Sequence, residues 1–521
     1  MSTGKIIARA AIVILVINLT SKILGFFRDM VIAYQFGATG ATDAYLVAYT
    51  IPYVLMNILA LALSTVVVPV FSEYESQGRR DEAWKLFSTV TNLTALAFAV
   101  LVAMGLLGTP WLVKIIGPGL APEVAALTEE LTRIMLPLLV FNGVSTLFNG
   151  LLNANNIFAV PALSTVIANT TVIVSTLTLG NVMGIQGVAI GTVLGVLFAA
   201  LFQLPSLWRS GFKYRFSFDW RDPGVQKVMS LMLPVTLGVS INQIYIVIDR
   251  MLASGLAEGS ISALNYANKL ILLPLGLFVM AIGTAFYPTL TKQAVDPKAG
   301  DMATTLQRAF RAVVMLSIPA GVGLMVLRYP IVQLLFERGE FDAHATAMTA
   351  YALLLFSIGL VGQSANVILT RGFYALQDTR TPVKLTLITV VINLIFSLLL
   401  IGKLQHGGLA LANSIAALTN TLMLSWFLSR RVKKLWDRQM VRFGIQVLAA
   451  SGLMAVVAHY VNGFAAAIFA GYGTIGLAIQ VALAISAGIL AYILAAIGLR
   501  IDETKLIFTY GKKFLVKLKR A

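Results

Sequence analysis

One apolar stretch follows another through nearly the whole chain, each about as long as a bilayer is thick. This feature constrains the fold more than any motif. A helix needs ~20 apolar residues to cross the hydrocarbon core, and in lipid each backbone polar group must find its partner inside the protein. Such runs fall near 10–36, 41–71, 84–108, 127–153, 157–181, 185–208 and 226–254, then 261–290, 308–330, 344–374, 382–402, 405–430, 441–462 and 474–498. They predict fourteen transmembrane helices, several long enough to require tilt or kinks. The chain is 58% apolar and 12% charged, about half the charge of a soluble domain, and the runs leave no room for one. The expected fold class is an all-α polytopic membrane protein. Lys5 and Arg9 precede the first run as they would in a signal peptide. That run is too long for one, carries Lys22, Arg28 and Asp29, and lacks a clear small-residue cleavage site, so it reads as the first transmembrane helix.

The formal charge of +17 raises the question of nucleic acid or an anionic surface. Placement answers it. The cations gather in alternate connections: Arg79, Arg80 and Lys85; Arg209, Lys213, Arg215, Arg221 and Lys227; Lys292, Lys298, Arg308 and Arg311; Arg371, Arg380 and Lys384; and Arg430 to Arg442. The connections Gly37–Thr42, Gly180–Gly184 and Gly255–Ser260 hold no lysine or arginine. This is the positive-inside pattern, not a nucleic-acid footprint. It puts the basic connections and both termini on the cytoplasmic side of a multi-pass membrane protein.

The chain also repeats itself. Gly150-Leu-Leu-Asn-Ala-Asn leads to Pro161 as Gly372-Phe-Tyr-Ala-Leu-Gln leads to Pro382, and Gly187-Val-Ala-Ile-Gly matches Gly408-Leu-Ala-Leu-Ala. Ala154/Ala375, Pro161/Pro382 and Gly187/Gly408 share an offset of 221, and Pro69/Pro288 an offset of 219. Two six-helix lobes in the same orientation, 1–215 and 216–435, are expected, followed by a helix pair over 436–500 and a basic cytoplasmic tail over 501–521. Parallel repeats imply a pseudo-two-fold axis along the membrane normal with a cavity between the lobes.

Charges inside such helices are expensive and call for a reason. The first helix holds Lys22, Arg28 and Asp29, with Gly25 among them as a place of close approach or bending. Lys22 and Asp29 lie seven apart and share a face, whereas Arg28 is ~100° from its neighbour. A structural pair with Asp29 would leave a cation over. The eighth helix adds Lys269 with no carboxylate in its own turn. Three cations against one anion suggest a pocket for an anionic ligand. Asp43 begins the second helix, where capping is the ordinary role of an acid, and it stands with Lys22, Arg28, Asp29 and Lys269 as a candidate substrate-binding residue. Asp249 either forms an interfacial pair with Arg250 or faces Asn393, Ser397 and Asn413, whose oxygens suit a small hard cation. Pro52 and Pro274 break the hydrogen-bond ladder and supply places to bend.

No enzyme site is expected. The chain has no cysteine, three scattered histidines (His344, His406, His459), no phosphate loop and no H-E-x-x-H or G-x-S-x-G. No cofactor and no confident metal site follow. Energy would come from a coupling cation, sodium or proton, or from the membrane potential.

The motif Ser21-Lys-Ile-Leu-Gly-Phe-Phe-Arg-Asp29 resembles the first-helix signature of the MurJ/MviN lipid II flippases, in the superfamily that also holds the MATE exporters. Four further stretches resemble the family: Thr42-Asp-Ala44, Pro274-Leu-Gly with Ala281-Ile-Gly-Thr284 and Pro288, Leu335-Phe-Glu-Arg-Gly-Glu-Phe341, and Phe373-Tyr-Ala-Leu-Gln-Asp-Thr-Arg-Thr-Pro382. The resemblance implies a V-shaped pair of lobes around a cationic cavity that receives a diphosphate-sugar head group, with the polyprenyl tail in a groove at helices thirteen and fourteen. It maps cavity arginines onto Lys22, Arg28 and Lys269, and an aspartate onto Asp29. Lysine at two of these keeps charge but not bidentate phosphate geometry. Where many members carry a basic pair and then A-E-G-A, this chain has Met56-Asn57 and Ala60-Leu-Ala-Leu63.

The expected function is alternating-access flipping of a polyprenyl-diphosphate-linked glycopeptide, lipid II, between leaflets, with membrane lipids and cell-wall synthesis enzymes as further partners. Flipping of another polyprenyl-linked glycan, MATE-like drug export and a non-transporting scaffold are the alternatives. The basic pocket argues against cationic drugs, and a scaffold has no need of charges in both lobes.

Overall fold

The computed structural model describes residues 3–296, 300–433, 435–501 and 503. Lys298, Lys434 and the basic tail beyond 503 lie outside the described residues. The regular elements are helical: α1 (Thr3–Phe36), α2 (Gly40–Ser76), α3 (Arg80–Leu107), α4 (Thr109–Ile116), α5 (Pro122–Met135), α6 (Leu138–Ala154), α7 (Ala159–Leu177), α8 (Leu179–Met183), α9 (Ile185–Arg209) and α10 (Pro223–Ala253). α11 (Ser260–Pro274) passes through a π-helical turn, Leu275–Val279, into α12 (Met280–Val295). Then come α13 (Met302–Val326), α14 (Arg328–Phe336), α15 (Ala343–Ala375), α16 (Arg380–Leu404), α17 (His406–Arg431), α18 (Arg438–Phe469) and α19 (Gly473–Gly498).

Each of the fourteen expected segments holds helix. By length and apolarity alone, eight stretches among the described residues would cross a bilayer, one of them, Arg438–Gly498, containing both α18 and α19. The fourth expected segment is a bent pair, α5 and α6, turning 40° beside Pro137. Proline explains the eighth as well. Pro274 has no N–H and its ring crowds the preceding turn, and the ladder behind it slips to π spacing, with Met280 N–H on the Leu275 carbonyl. Pro52 instead stays within continuous α2.

The chain packs as two compact units, Met1–Ser262 with Arg338–Asp342, and Ala263–Glu337 with Ala343–Ala521. Repeat and packing group the helices differently: α10 begins the second sequence repeat but packs on α2 within the first unit. In that unit α1 packs on α7, α7 on α9, and α2 on α5 and α6. Phe71, Trp84, Phe87 and Phe212 form an aromatic cluster at one end. The second unit is built on α15 against α13 and α17, with α16 on α17. The α18–α19 pair docks on α13 through Val314, Met315, Phe443, Val447, Ala450, Met454, Tyr492 and Ala496.

The internal repeat is written into local geometry. Asn156 and Gln377 share a left-handed backbone (φ 60° and 59°), as do Gly184 and Gln405 (φ 64° and 52°). A Cβ on Gly187 would meet the Leu179 carbonyl carbon at 2.4 Å, and one on Gly408 the Leu400 carbonyl carbon at 2.7 Å. Lipid supplies no hydrophobic force between helices, so small residues that let backbones touch carry the packing instead.

Candidate functional site

A polar ladder runs along α1 at seven-residue spacing, two helical turns per step. Ser21 Oγ lies 2.7 Å from Thr165 Oγ1, Arg28 Nη1 donates to Asn169 Oδ1 at 3.2 Å, and Gln35 Nε2 donates to Asn181 Oδ1 at 2.8 Å. Asn169 Nδ2 also donates to the Ser21 carbonyl at 3.3 Å. Gly25 faces this amide, and a Cβ there would meet Asn169 Nδ2 at an ordinary contact distance of 3.6 Å.

Arg28 donates through Nε (3.0 Å) and Nη2 (2.7 Å) to Asp29 Oδ1. Neighbours on a helix point ~100° apart, and the length of the arginine side chain closes that gap. The Arg28 side chain is 28% exposed and that of Asp29 8%. A guanidinium has five N–H groups, and Asp29 and Asn169 take three of them. Tyr45 and Tyr49 of α2 lie near Arg28. Their rings stack with centroids 6.3 Å apart, and Tyr53 continues the row at 5.5 Å. Lys22 is exposed on the same helix. Lys269 is half-buried on α11 in the second unit.

Asp43 does not cap its own helix. Its Oδ2 accepts the Gly259 N–H at 2.8 Å, and its Oδ1 accepts the Ser262 N–H at 2.8 Å and hydroxyl at 2.6 Å. In return, Glu258 Oε1 accepts the Gly40 N–H at 2.5 Å. Each of two repeat-related helix starts, those of α2 and α11, thus receives the other's carboxylate, where unpaired N–H groups and the helix dipole favour an anion. The turn Arg338–Asp342 closes on the same end of α1, with Glu340 N–H on the Tyr34 carbonyl at 2.9 Å. Gly339 (φ +61°) is held there because a Cβ would stand 2.2 Å from that carbonyl oxygen.

Asp249 belongs to α10 in the first unit; Asn393, Ser397 and Asn413 belong to the second. Arg250 is the charge that acts on Asp249. Asn393 Nδ2 and Ser397 Oγ, one turn apart on α16, are buried without a hydrogen-bond partner among the described residues, and Asn413 Oδ1 accepts from Gln363 Nε2 at 3.1 Å. Asp378 opens α16. The Thr381 N–H, the Thr381 hydroxyl and the Arg431 charge hold its carboxyl below the ordinary value. Between α18 and α19 lies an apolar cleft of about 290 Å³ lined by Phe464, Ile468, Phe469, Leu483 and Leu490.

Asn169, Glu258 and Ser262 escape a reading that looks only for buried charge. An amide inside an apolar run deserves the same suspicion as an ion, because it too needs a partner in lipid.

The family model of the lipid II flippase MurJ matches residues 32–482. The lipid II flippase MurJ of Burkholderia cenocepacia is 32% identical over 463 residues, covering 87% of this chain and 89% of the relative. The probable lipid II flippase MurJ of Vibrio cholerae is 34% identical over 436 residues, 81% of this chain and 83% of that one. A solved structure titled as lipid II flippase MurJ in an inward closed conformation superposes with a TM-score of 0.79 at 27% identity, covering 95% of this chain and all of that one. An inward-facing MATE-family transporter shares the fold at a TM-score of 0.66 and 18% identity, over 82% of this chain and 98% of its own.

Proposed function

The chain belongs to the lipid II flippase MurJ family, and from that membership we propose that it carries lipid II, a polyprenyl-diphosphate-linked glycopeptide, to the outer leaflet of the bacterial inner membrane by alternating access. The observation that supports a head-group role for α1 is Arg28. Its guanidinium is fixed on one side by Asp29 and Asn169, open to solvent on another, and keeps two N–H groups that Asp29 and Asn169 do not take. Phosphate oxygens are natural acceptors for those donors. Lys22 adds charge on the same helix without fork geometry, and Lys269 adds charge of the same kind on α11 of the second unit. A diphosphate offsets the positive charge of Arg28 and Lys22 on α1. The apolar cleft of α18 and α19 suits the polyprenyl tail. Transport proceeds without chemistry on the lipid, with both termini cytoplasmic.

Reconstituted liposomes test this. Arg28→Ala should abolish flipping while folded protein persists, and Lys22→Arg and Lys269→Arg should remain active. If Arg28 serves only as a partner for Asp29, Arg28→Ala lowers folded protein in the membrane and the double variant with Asp29→Ala restores both abundance and flipping. That recovery would overturn the head-group role.

A further inference from the structure

The connection from α9 to α10, residues 210–222, is not a free loop. It follows α3 downward and returns. At the top, Arg80 Nη2 donates to the Ser210 carbonyl at 3.0 Å. Phe212 then packs between Trp84 and Phe87, with ring centroids at 5.5 and 5.6 Å. Lower down, Ser88 Oγ accepts the Arg215 N–H at 3.1 Å. Lowest of all, Asn92 Nδ2 donates to the Ser217 carbonyl at 3.0 Å, and Asn92 Oδ1 accepts from Tyr214 Oη at 2.9 Å. The chain climbs again to Asp219, whose carboxylate is 3.5 Å from Lys85 Nζ, and then enters α10.

From Lys85 to Asn92 α3 advances about 10 Å. If the charged end of α3, with Arg80, Asp81, Glu82 and Lys85, marks the headgroup zone, the lowest point of this segment reaches the boundary between headgroups and acyl chains. Irregular backbone at such depth persists only where its polar groups are paired. Ser88 and Asn92, buried polar residues of α3, do that pairing. Among the side chains left exposed are aromatic rings. Phe216 is 80% exposed, Phe218 packs edge-on to it at 5.1 Å, and Trp220 is exposed with Arg221 stacked over its ring at 5.2 Å. Lys213 and Arg221 are exposed and form no ion pair with a described residue. Aromatic rings with cations beside them are what a bilayer interface favours, and basic groups there attract anionic headgroups.

We propose that residues 211–222 form a membrane-dipping strap: Phe216, Phe218 and Trp220 seat at the headgroup–acyl boundary beside α3, and Lys213 and Arg221 bind the phosphates of anionic phospholipids there. The occupant is the lipid surface because the segment begins where the apolar helix α9 ends at Arg209 and stays against α3, itself a candidate span.

The chain's lack of cysteine makes the test direct. A nitroxide on Phe216→Cys, and separately on Phe218→Cys in case the first variant folds poorly, is measured in phosphatidylglycerol nanodiscs against Gln77→Cys in the exposed α2–α3 turn. The strap predicts that both Phe-site labels collide more with oxygen than with a water-soluble nickel chelate, and that Gln77→Cys shows the reverse. Adding Lys213→Gln and Arg221→Gln, or replacing phosphatidylglycerol by phosphatidylcholine, should shift the labels toward the nickel chelate by similar amounts. Labels as open to nickel as the Gln77 control would overturn the proposal and assign the aromatic patch to a protein partner. Lipid-embedded labels indifferent to lipid charge would overturn its anionic-headgroup half.

Discussion

A single asparagine changes what Arg28 can do. Without Asn169, the guanidinium would be tied at one edge to Asp29 and free to swing. With it, three N–H groups are fixed and the remaining donors hold a set direction. A hydrogen bond to a charged group contributes ~1.5–3 kcal/mol, so Asn169→Ala should slow flipping about tenfold or more in liposomes. Because Asn169 also joins α7 to the Ser21 carbonyl of α1, folded abundance must be measured alongside. Unchanged flipping at normal abundance would mean that Arg28 needs no such orientation. The pairing of Arg28 with its own neighbour shows the limit of helix-face arguments, which follow Cβ directions and not the reach of a long side chain.

Among elements, the exchange of carboxylates between helix starts is the tightest local device. Asp43→Ala strands two N–H groups and a hydroxyl at the start of α11, a loss of ~1–3 kcal/mol for buried groups. Thermal unfolding in detergent should show it, and a cycle with Ser262→Ala should reveal coupling of ~0.5–3 kcal/mol. Strict additivity of the two substitutions would exclude the contact. A proline explains a second device. Met315 would offer its carbonyl to residue 319, but Pro319 has no N–H. Tyr492 Oη donates to that carbonyl at 2.8 Å instead, pinning α19 to α13. Tyr492→Phe should therefore lower the melting temperature by the equivalent of ~1 kcal/mol, whereas Tyr460→Phe, at an exposed ring on α18, should leave it unchanged.

At the scale of the whole molecule, charge asymmetry sets orientation, and the structure decides how to probe it. Gly40 and Gly259 lie in the bare connections but are poor labelling sites: a Cβ at Gly259 would lie 2.2 Å from the Ala38 carbonyl oxygen, and one at Gly40 would displace Glu258 Oε1, which accepts the Gly40 N–H. Ala257→Cys, exposed in the same connection, is the better reporter. It should react with an impermeant maleimide in intact cells, while Gln77→Cys should react only after permeabilisation. Labelling of Gln77→Cys from outside would invert the topology.

Several features depend on the chain alone. The number of apolar segments follows from run length against bilayer thickness, the proposed orientation from where lysine and arginine fall, and the repeat from motifs at one offset that recur as the paired left-handed turns Asn156/Gln377 and Gly184/Gln405. Each is a local or statistical property, readable without knowing which helices touch. Partnership is different. Asn169 meets Arg28 across 141 residues, and Ser262 meets Asp43 across 219. Tyr492 reaches Met315 across 177. Nothing in the periodicity of α1, α2 or α19 names those partners, because hydrogen bonds between helices depend on which faces the packing brings within ~3 Å. Tertiary structure alone decided that Asp43 caps the start of another helix, that the α9–α10 connection turns back along α3, and that an amide holds the arginine in place.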